Sequence, residues 1–482
     1  MIEIIRMNMV RKIQVLTLLV LLVAVGFQSE AKVKLPALFA DNMVLQQQTK
    51  VAVWGWSLPK TEVHVSGSWS AESVSVKSDK EGKWKVMLQT PHAGGPYDLT
   101  ISDEETITLK NVMIGEVWIC AGQSNMEMPM KGYPGQPVIG SNMDILKSDN
   151  NQIRVITVPR NSQTVPQDNF EAKWKVADPA AIRNFSATGY HFGKLLYEML
   201  DVPIGLIEVS YGGSCIQAWM SSETAVPFED NMVPAPGDSI PVVNRTPTVL
   251  FNGMLNPVIG YGIKGAIWYQ GETNYQEPEA YVELFPKMVK EWRSLWNIGE
   301  FPFYYAQIAP FDYAVFKPNK AKANSAYLRE AQLKAMDKIP NSGMAVLMDI
   351  GEEKSIHPMH KKEGGERLAL WALGKSYGIR DFSYKSPAFN AIEVKGGQLI
   401  VSFNNASNGL TTFGKELTGF EIAGDDKVFY PASTFLRSKS VIVSSPRVEK
   451  PVAVRYAFND FIVGTLFGTD GLPVSSFRSD DW

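Results

Sequence analysis

Cysteine and histidine are nearly missing from this chain, which holds two of the first and five of the second in 482 residues. Cys120 and Cys215 are too few for a disulfide framework, and a buried free thiol is the simpler reading of each. His64, His92, His191, His357 and His360 are scattered. Only the last two are close in sequence, with no cysteine beside them, so neither a Cys/His metal site nor any other cofactor is expected. No sign of charge dominates: the net charge of −3, without a basic run, gives nucleic acid no electrostatic hold. Long apolar runs are also scarce. The stretch from Ile13 to Phe27 falls short of the ~20 residues a membrane span needs. It follows Arg11 and Lys12, and Ser29-Glu30-Ala31 puts small residues at the minus-three and minus-one positions before Lys32, the pattern of an export signal. Residues 1–31 are therefore expected to be removed, and the mature protein to be periplasmic or extracellular with no membrane span.

What is present is a chain with 45% hydrophobic residues, long enough for more than one domain. Over 32–110 the pattern alternates with period two, as in Val51-Ala52-Val53-Trp54-Gly55-Trp56, with turn clusters such as Asp79-Lys80-Glu81-Gly82. That is the signature of a β domain. From 111 to 385 strands alternate with helices. Strands are expected at 114–120, 203–210, 264–270, 302–308 and 344–349, and helices at 188–200, 279–296, 326–336 and 361–373. Helical spacing is clearest where Tyr281, Leu284, Phe285, Met288, Trp292 and Trp296 recur on one face. The alternation predicts an α/β fold, a parallel sheet with helices on both sides. Period two returns over 386–482, a closing β module.

Four polar clusters each follow an apolar strand: Gly122-Gln123-Ser124-Asn125-Met126, Tyr211-Gly212-Gly213-Ser214, Gln270-Gly271-Glu272-Thr273-Asn274, and Asp349 through His357-Pro358. A lone Gly-x-Ser is usually just a turn. In open parallel sheets, however, ligands bind at the carboxyl ends of the strands, so the four clusters are expected to share one pocket. Ser124 needs a base to become a nucleophile, and His357 is the candidate. Donors for an oxyanion would be the Ser124 N–H, the Gly212 or Gly213 N–H, and the Gln270 side-chain amide. Gln123 and Asn125 supply amides on either side of the hydroxyl.

These residues resemble a known family. Gly115-Glu116-Val117-Trp118 leading into Gly122-Gln123-Ser124-Asn125-Met126, then Tyr211-Gly212-Gly213, Trp268-Tyr269-Gln270-Gly271-Glu272, Leu328-Arg329-Glu330-Ala331-Gln332, and Ile356-His357-Pro358 with Gly365-x-Arg367-Leu368-Ala369, look like a sialate O-acetylesterase of the SGNH hydrolase superfamily. The likeness runs on to Gly471-Leu472-Pro473. It implies a flavodoxin-like three-layer core, a metal-free serine esterase and an O-acetylated sugar, above all 9-O-acetylated sialic acid. By motif position Ser124 becomes the nucleophile, His357 the base, and Gly212, Gly213 and Gln270 the oxyanion donors.

One position departs from the superfamily pattern, because Lys354 stands where an aspartate often precedes the histidine by three residues. The acid that orients the imidazole is then Asp349, ranked first for its strand end, or Glu352, Glu353 or Glu272, or a loop carbonyl accepts the bond in a Ser-His dyad. Glu272 and Arg329 are the candidate substrate contacts, the arginine as partner for a sialate carboxylate. Acetyl-xylan or another acetylated polysaccharide would need no such cation. The rival of a different class is an inactive glycan-binding protein that uses Trp56 and Trp69. A standard α/β-hydrolase elbow is disfavoured by the missing second glycine.

Overall fold

The computed structural model describes residues 33–226, 232–315 and 324–482, so the export signal expected over 1–31 lies outside them. At its centre is one long strand, β1 (Thr106–Gly122). Its residues from Val112 onward are all buried, the continuous apolar run of a strand covered on both faces. Six more strands follow in chain order: β2 (Asn150–Thr157), β3 (Lys175–Ala177), β4 (Ile204–Ser210), β5 (Gly265–Tyr269), β6 (Phe303–Ala306) and β7 (Ser342–Ala345). They stand in the order β7-β6-β5-β1-β4-β2-β3. All neighbours are parallel except the edge strand β3.

Helices cover both faces. The short α1 (Ser124–Glu127) leaves the end of β1, α2 (Ala187–Leu200) packs with α5 (Lys361–Trp371), and α3 (Pro278–Trp296) packs with α4 (Ala326–Lys338). Period two in β5 feeds the two layers. Ile267 and Tyr269 join the core that holds Trp118, Phe192 and Trp371, while Trp268 joins the one that holds Trp219 and Trp292. Helix α2 starts where the Ser186 hydroxyl accepts the Gly189 N–H at 2.9 Å, an N-cap contact.

The sequence misses β2, because its apolar run is broken by Arg154, which is buried all the same. It also places the last core strand too late. Pairing ends at Ala345, and the apolar residues Val346, Leu347 and Met348 are buried as unpaired chain. The boundary expected at residue 110 falls inside β1: Thr106 to Ile114 pairs with the strand Gly94–Ser102, and Met113 to Gly115 also pairs with Val44–Gln46. Trp56 and Trp69 are half-buried, and the Trp69 indole donates to the Gln89 carbonyl at 3.1 Å.

After residue 385 antiparallel sheets form the closing β module, which returns to grip α4. Arg478 meets Glu330 through two 3.1 Å bonds. Arg329 is fully buried. Its guanidinium donates to the Ser476 hydroxyl at 3.1 Å, the Ser325 hydroxyl at 3.2 Å, the Ala457 carbonyl at 3.4 Å and the Asn459 carbonyl. This corrects its expected place at the substrate: it is a strut between helix and closing module, and burial holds its pKa down to about 10. Arg329→Ala strands several buried carbonyls, each costing about 1–3 kcal/mol. The variant is expected to show a clear drop in denaturation midpoint by urea titration, with kcat of the folded protein close to wild type.

Candidate active site

Gly122 ends β1 at φ +141, and a Cβ there would lie 2.2 Å from the Tyr269 carbonyl. Only glycine lets the strand run this close to β5 and turn at once, so that Ser124 opens α1 at the carboxyl edge of the sheet. Gln123 is bent back, its side-chain oxygen accepting the Gly271 N–H at 3.2 Å and the Thr273 N–H at 3.4 Å. As an acceptor it ties the ends of β1 and β5 together.

The four clusters meet around a cavity of about 1350 Å³, whose wall includes Ser124, Gly212, Gly213, Glu272, Asn274 and His357. His357 is half-buried, with its ring edge against Tyr133 at 5.3 Å between centroids. Its Nδ1 is bonded to the side-chain oxygen of Gln136. That residue sits on a tight turn closed by the Tyr133 and Gln136 backbones, at 3.0 and 2.9 Å. With Nδ1–H donating to an amide oxygen, Nε2 is the nitrogen left with a lone pair. Burial first, and the nearby Lys361 ammonium second, push the imidazole pKa down to about 4.

Asp349 does not reach the imidazole. Arg367 holds both its oxygens at 2.7 Å and the Val346 carbonyl at 2.9 Å, so the carboxylate closes the end of β7 onto α5. A bidentate arginine pair leaves it little capacity to orient a histidine. Gly351, expected to reverse the loop, serves close approach instead, since a Cβ there would meet the Pro310 carbonyl at 2.4 Å. Glu352 accepts the Met359 N–H at 2.7 Å, and Glu353 is exposed. The residue that does orient His357, Gln136, lies 221 positions away, between two prolines in a loop with no pattern to mark it.

Gln270 is likewise displaced from its expected role. It is fully buried, and its amide nitrogen donates to the Ser214 carbonyl at 3.1 Å and to Asn274 Oδ1 at 2.8 Å. Asn274, unlike Gln270, is among the residues that line the cavity wall. The Gly212 N–H donates to Glu127 Oε2 at 2.9 Å. Glu127 is gripped by Arg160 at 2.6 and 2.7 Å, and Arg160 lies over the Tyr211 ring at 4.7 Å. Glu272 lines the cavity. One of its oxygens takes the Asn125 amide, the other has no partner, and burial raises its pKa. Cys120 and Cys215 are free and buried. Among the described residues no group of histidine, cysteine and carboxylate side chains is arranged to hold a metal, and no helix is long and apolar enough to cross a membrane.

Comparison with known proteins puts this architecture in context. The family model for carbohydrate esterases described as sialic acid-specific acetylesterases matches residues 114–370. The sialate O-acetylesterase of Homo sapiens is 29% identical over 391 residues, covering 73% of this chain and 73% of its own length. That of Mus musculus is 28% identical over 499 residues, 88% of this chain and 89% of its own. Among solved structures, a carbohydrate acetylesterase from Xanthomonas citri superposes with a TM-score of 0.85 at 36% identity, covering 94% of this chain and all of that one. The three-layer α/β core with β modules at both ends is the fold that the resemblance implies. With more than half of its length matched, from the middle of β1 to α5, this protein belongs to the sialic acid-specific acetylesterase family and is a carboxylic ester hydrolase.

Proposed function

We propose that the protein removes O-acetyl groups from sugars by serine acyl-enzyme chemistry, with 9-O-acetylated sialic acids first among its substrates and acetylated polysaccharides second. The observation that carries this reading is Ser124 at the end of the central strand, sharing one cavity with an imidazole whose Nδ1 is tied down.

In this reading His357 Nε2 takes the Ser124 proton as the oxygen attacks the acetyl carbonyl, then returns a proton to the departing sugar hydroxyl. Water repeats the cycle to release acetate. The Ser124 N–H and the amides of the Gly212-Gly213 turn are the donors we assign to the oxyanion, the first glycine once Glu127 gives way. Glu272, which lines the cavity, we place on the sugar side of the site. The orienting group is the neutral Gln136, so the site is a Ser-His dyad steadied by an amide oxygen rather than by a carboxylate. Export, as read from the leading residues, suits an enzyme that meets glycans outside the cell.

Acetate release from a panel of O-acetylated sialic acids and acetyl-xylan tests the proposal. The wild type should act on at least one member, and Ser124→Ala and His357→Ala should each lower kcat by on the order of 10³ or more, the double variant losing no more than either single. Unchanged release by Ser124→Ala would remove the serine from the chemistry.

Gln136→Ala should lower kcat on the order of 10² by freeing the imidazole, while Asp349→Asn should mainly weaken the fold. Measuring kcat and thermal midpoint for both separates the two roles, and the reverse ranking would restore Asp349.

Because the folded His357 pKa lies below its ordinary value, the base is neutral across the neutral range. The kcat/KM profile should therefore hold on acidification and fall only as pH drops through about 4.

A further inference from the structure

Behind the cavity lies a buried charge system that the acyl chemistry does not consume. Lys361, the first residue of α5 and almost wholly buried, donates through Nζ to the side-chain oxygen of Asn125. The nitrogen of that same amide donates to Glu272 and, at 3.0 Å, to the carbonyl of Ile356, the residue that precedes His357. Asn125 is itself fixed, its carbonyl accepting the Thr188 hydroxyl at 3.1 Å. An ammonium and a carboxylate thus face each other across one amide, and the amide also holds the backbone that carries the imidazole.

We propose that Lys361 is a positioning residue for the acyl transfer: held on Asn125, it fixes the Ile356-His357 backbone and keeps a positive charge behind the imidazole that favours its neutral, proton-accepting form. This rests on His357 being the base. Every charged or titratable neighbour of the ammonium enters the balance. Glu272 and Glu352 favour its charged state, the Tyr269 ring lies 5.7 Å from Nζ, and His357 is the group it opposes. Burial brings the lysine down to about 7, well above the range in which His357 titrates, so the positive charge is in place when it matters. A buried charge of this kind is costly unless it is hydrogen-bonded and paired, and here the pairing partner borders the cavity.

The test uses the whole protein and two readouts. In a Ser124→Ala background the His357 imidazole is titrated by NMR, its signal identified by its loss in His357→Gln. With Ser124 intact, kcat/KM is followed against pH on a small acetyl ester. Lys361→Met should raise the His357 titration point, move the acidic limb of kcat/KM to higher pH, and lower kcat about 10- to 100-fold as the imidazole drifts. Since this variant leaves Glu272 without its counter-charge, Lys361→Met with Glu272→Gln is compared with Glu272→Gln alone, and the same rise is expected. If neither comparison raises the titration point, the proposal is overturned. If the titration point rises but kcat/KM does not follow it, the charge effect stands and the assignment of His357 as base falls.

Discussion

The molecule depends on the close approach of β1 and β5 at Gly122. The backbones come so near that no side chain fits between them, and the same contact that completes the sheet turns the chain outward to present Ser124. The neighbouring strand ends are built on that contact. Gln123 reaches across to the Gly271 and Thr273 amides, which sets the loop carrying Glu272 and Asn274. Asn274 in turn accepts the Ile216 N–H at 3.0 Å, which anchors the chain beyond the Gly212-Gly213 turn. One glycine thus propagates order through three loops.

Several of the charges at and behind the cavity are held in pairs. Glu127 and Arg160 neutralise each other, Asn125 separates Lys361 from Glu272, and Asp349 is closed off by Arg367. Arg245 and Glu277, also on the wall, are bonded to neutral partners, the Gly213 carbonyl and the Gln217 and Asn274 amides. Burial of the imidazole first, and the Lys361 cation second, disfavour its protonated form. The imidazole is therefore kept neutral by burial and a nearby cation, with no carboxylate among the described residues bonded to its Nδ1.

Much of this was legible in the sequence, for physical reasons that can be named. Strands buried on both faces must be apolar throughout, so β1, β4 and β5 declare themselves, and the helical spacing in α3 does the same for the layer above. Ser124 and Glu272 come just after such strands, and both line the cavity together with His357. Gln136, Lys361 and Asn274 were assigned no role because their roles come from contacts between segments far apart in the chain. Arg329 and Gln270 misled for the opposite reason. A polar residue inside a family motif looks like part of the site, an oxyanion donor in Gln270 and a substrate contact in Arg329, yet both satisfy buried backbone carbonyls, a need that no local pattern reveals. The same holds for β2, where a buried arginine interrupts the apolar signal.

The grip of the closing module on α4 also orders events during synthesis. The Arg329 guanidinium binds Ser476, which lies 147 residues further along the chain. At a ribosomal rate of roughly 10 residues per second the arginine waits on the order of 15 s for its partner. Through that interval the inner face of α4 carries a cation with no hydrogen-bonding carbonyls to meet it, and the helix cannot settle against the sheet at full strength. The nascent hydrolase layer therefore lacks this brace until the segment around Ser476 has emerged.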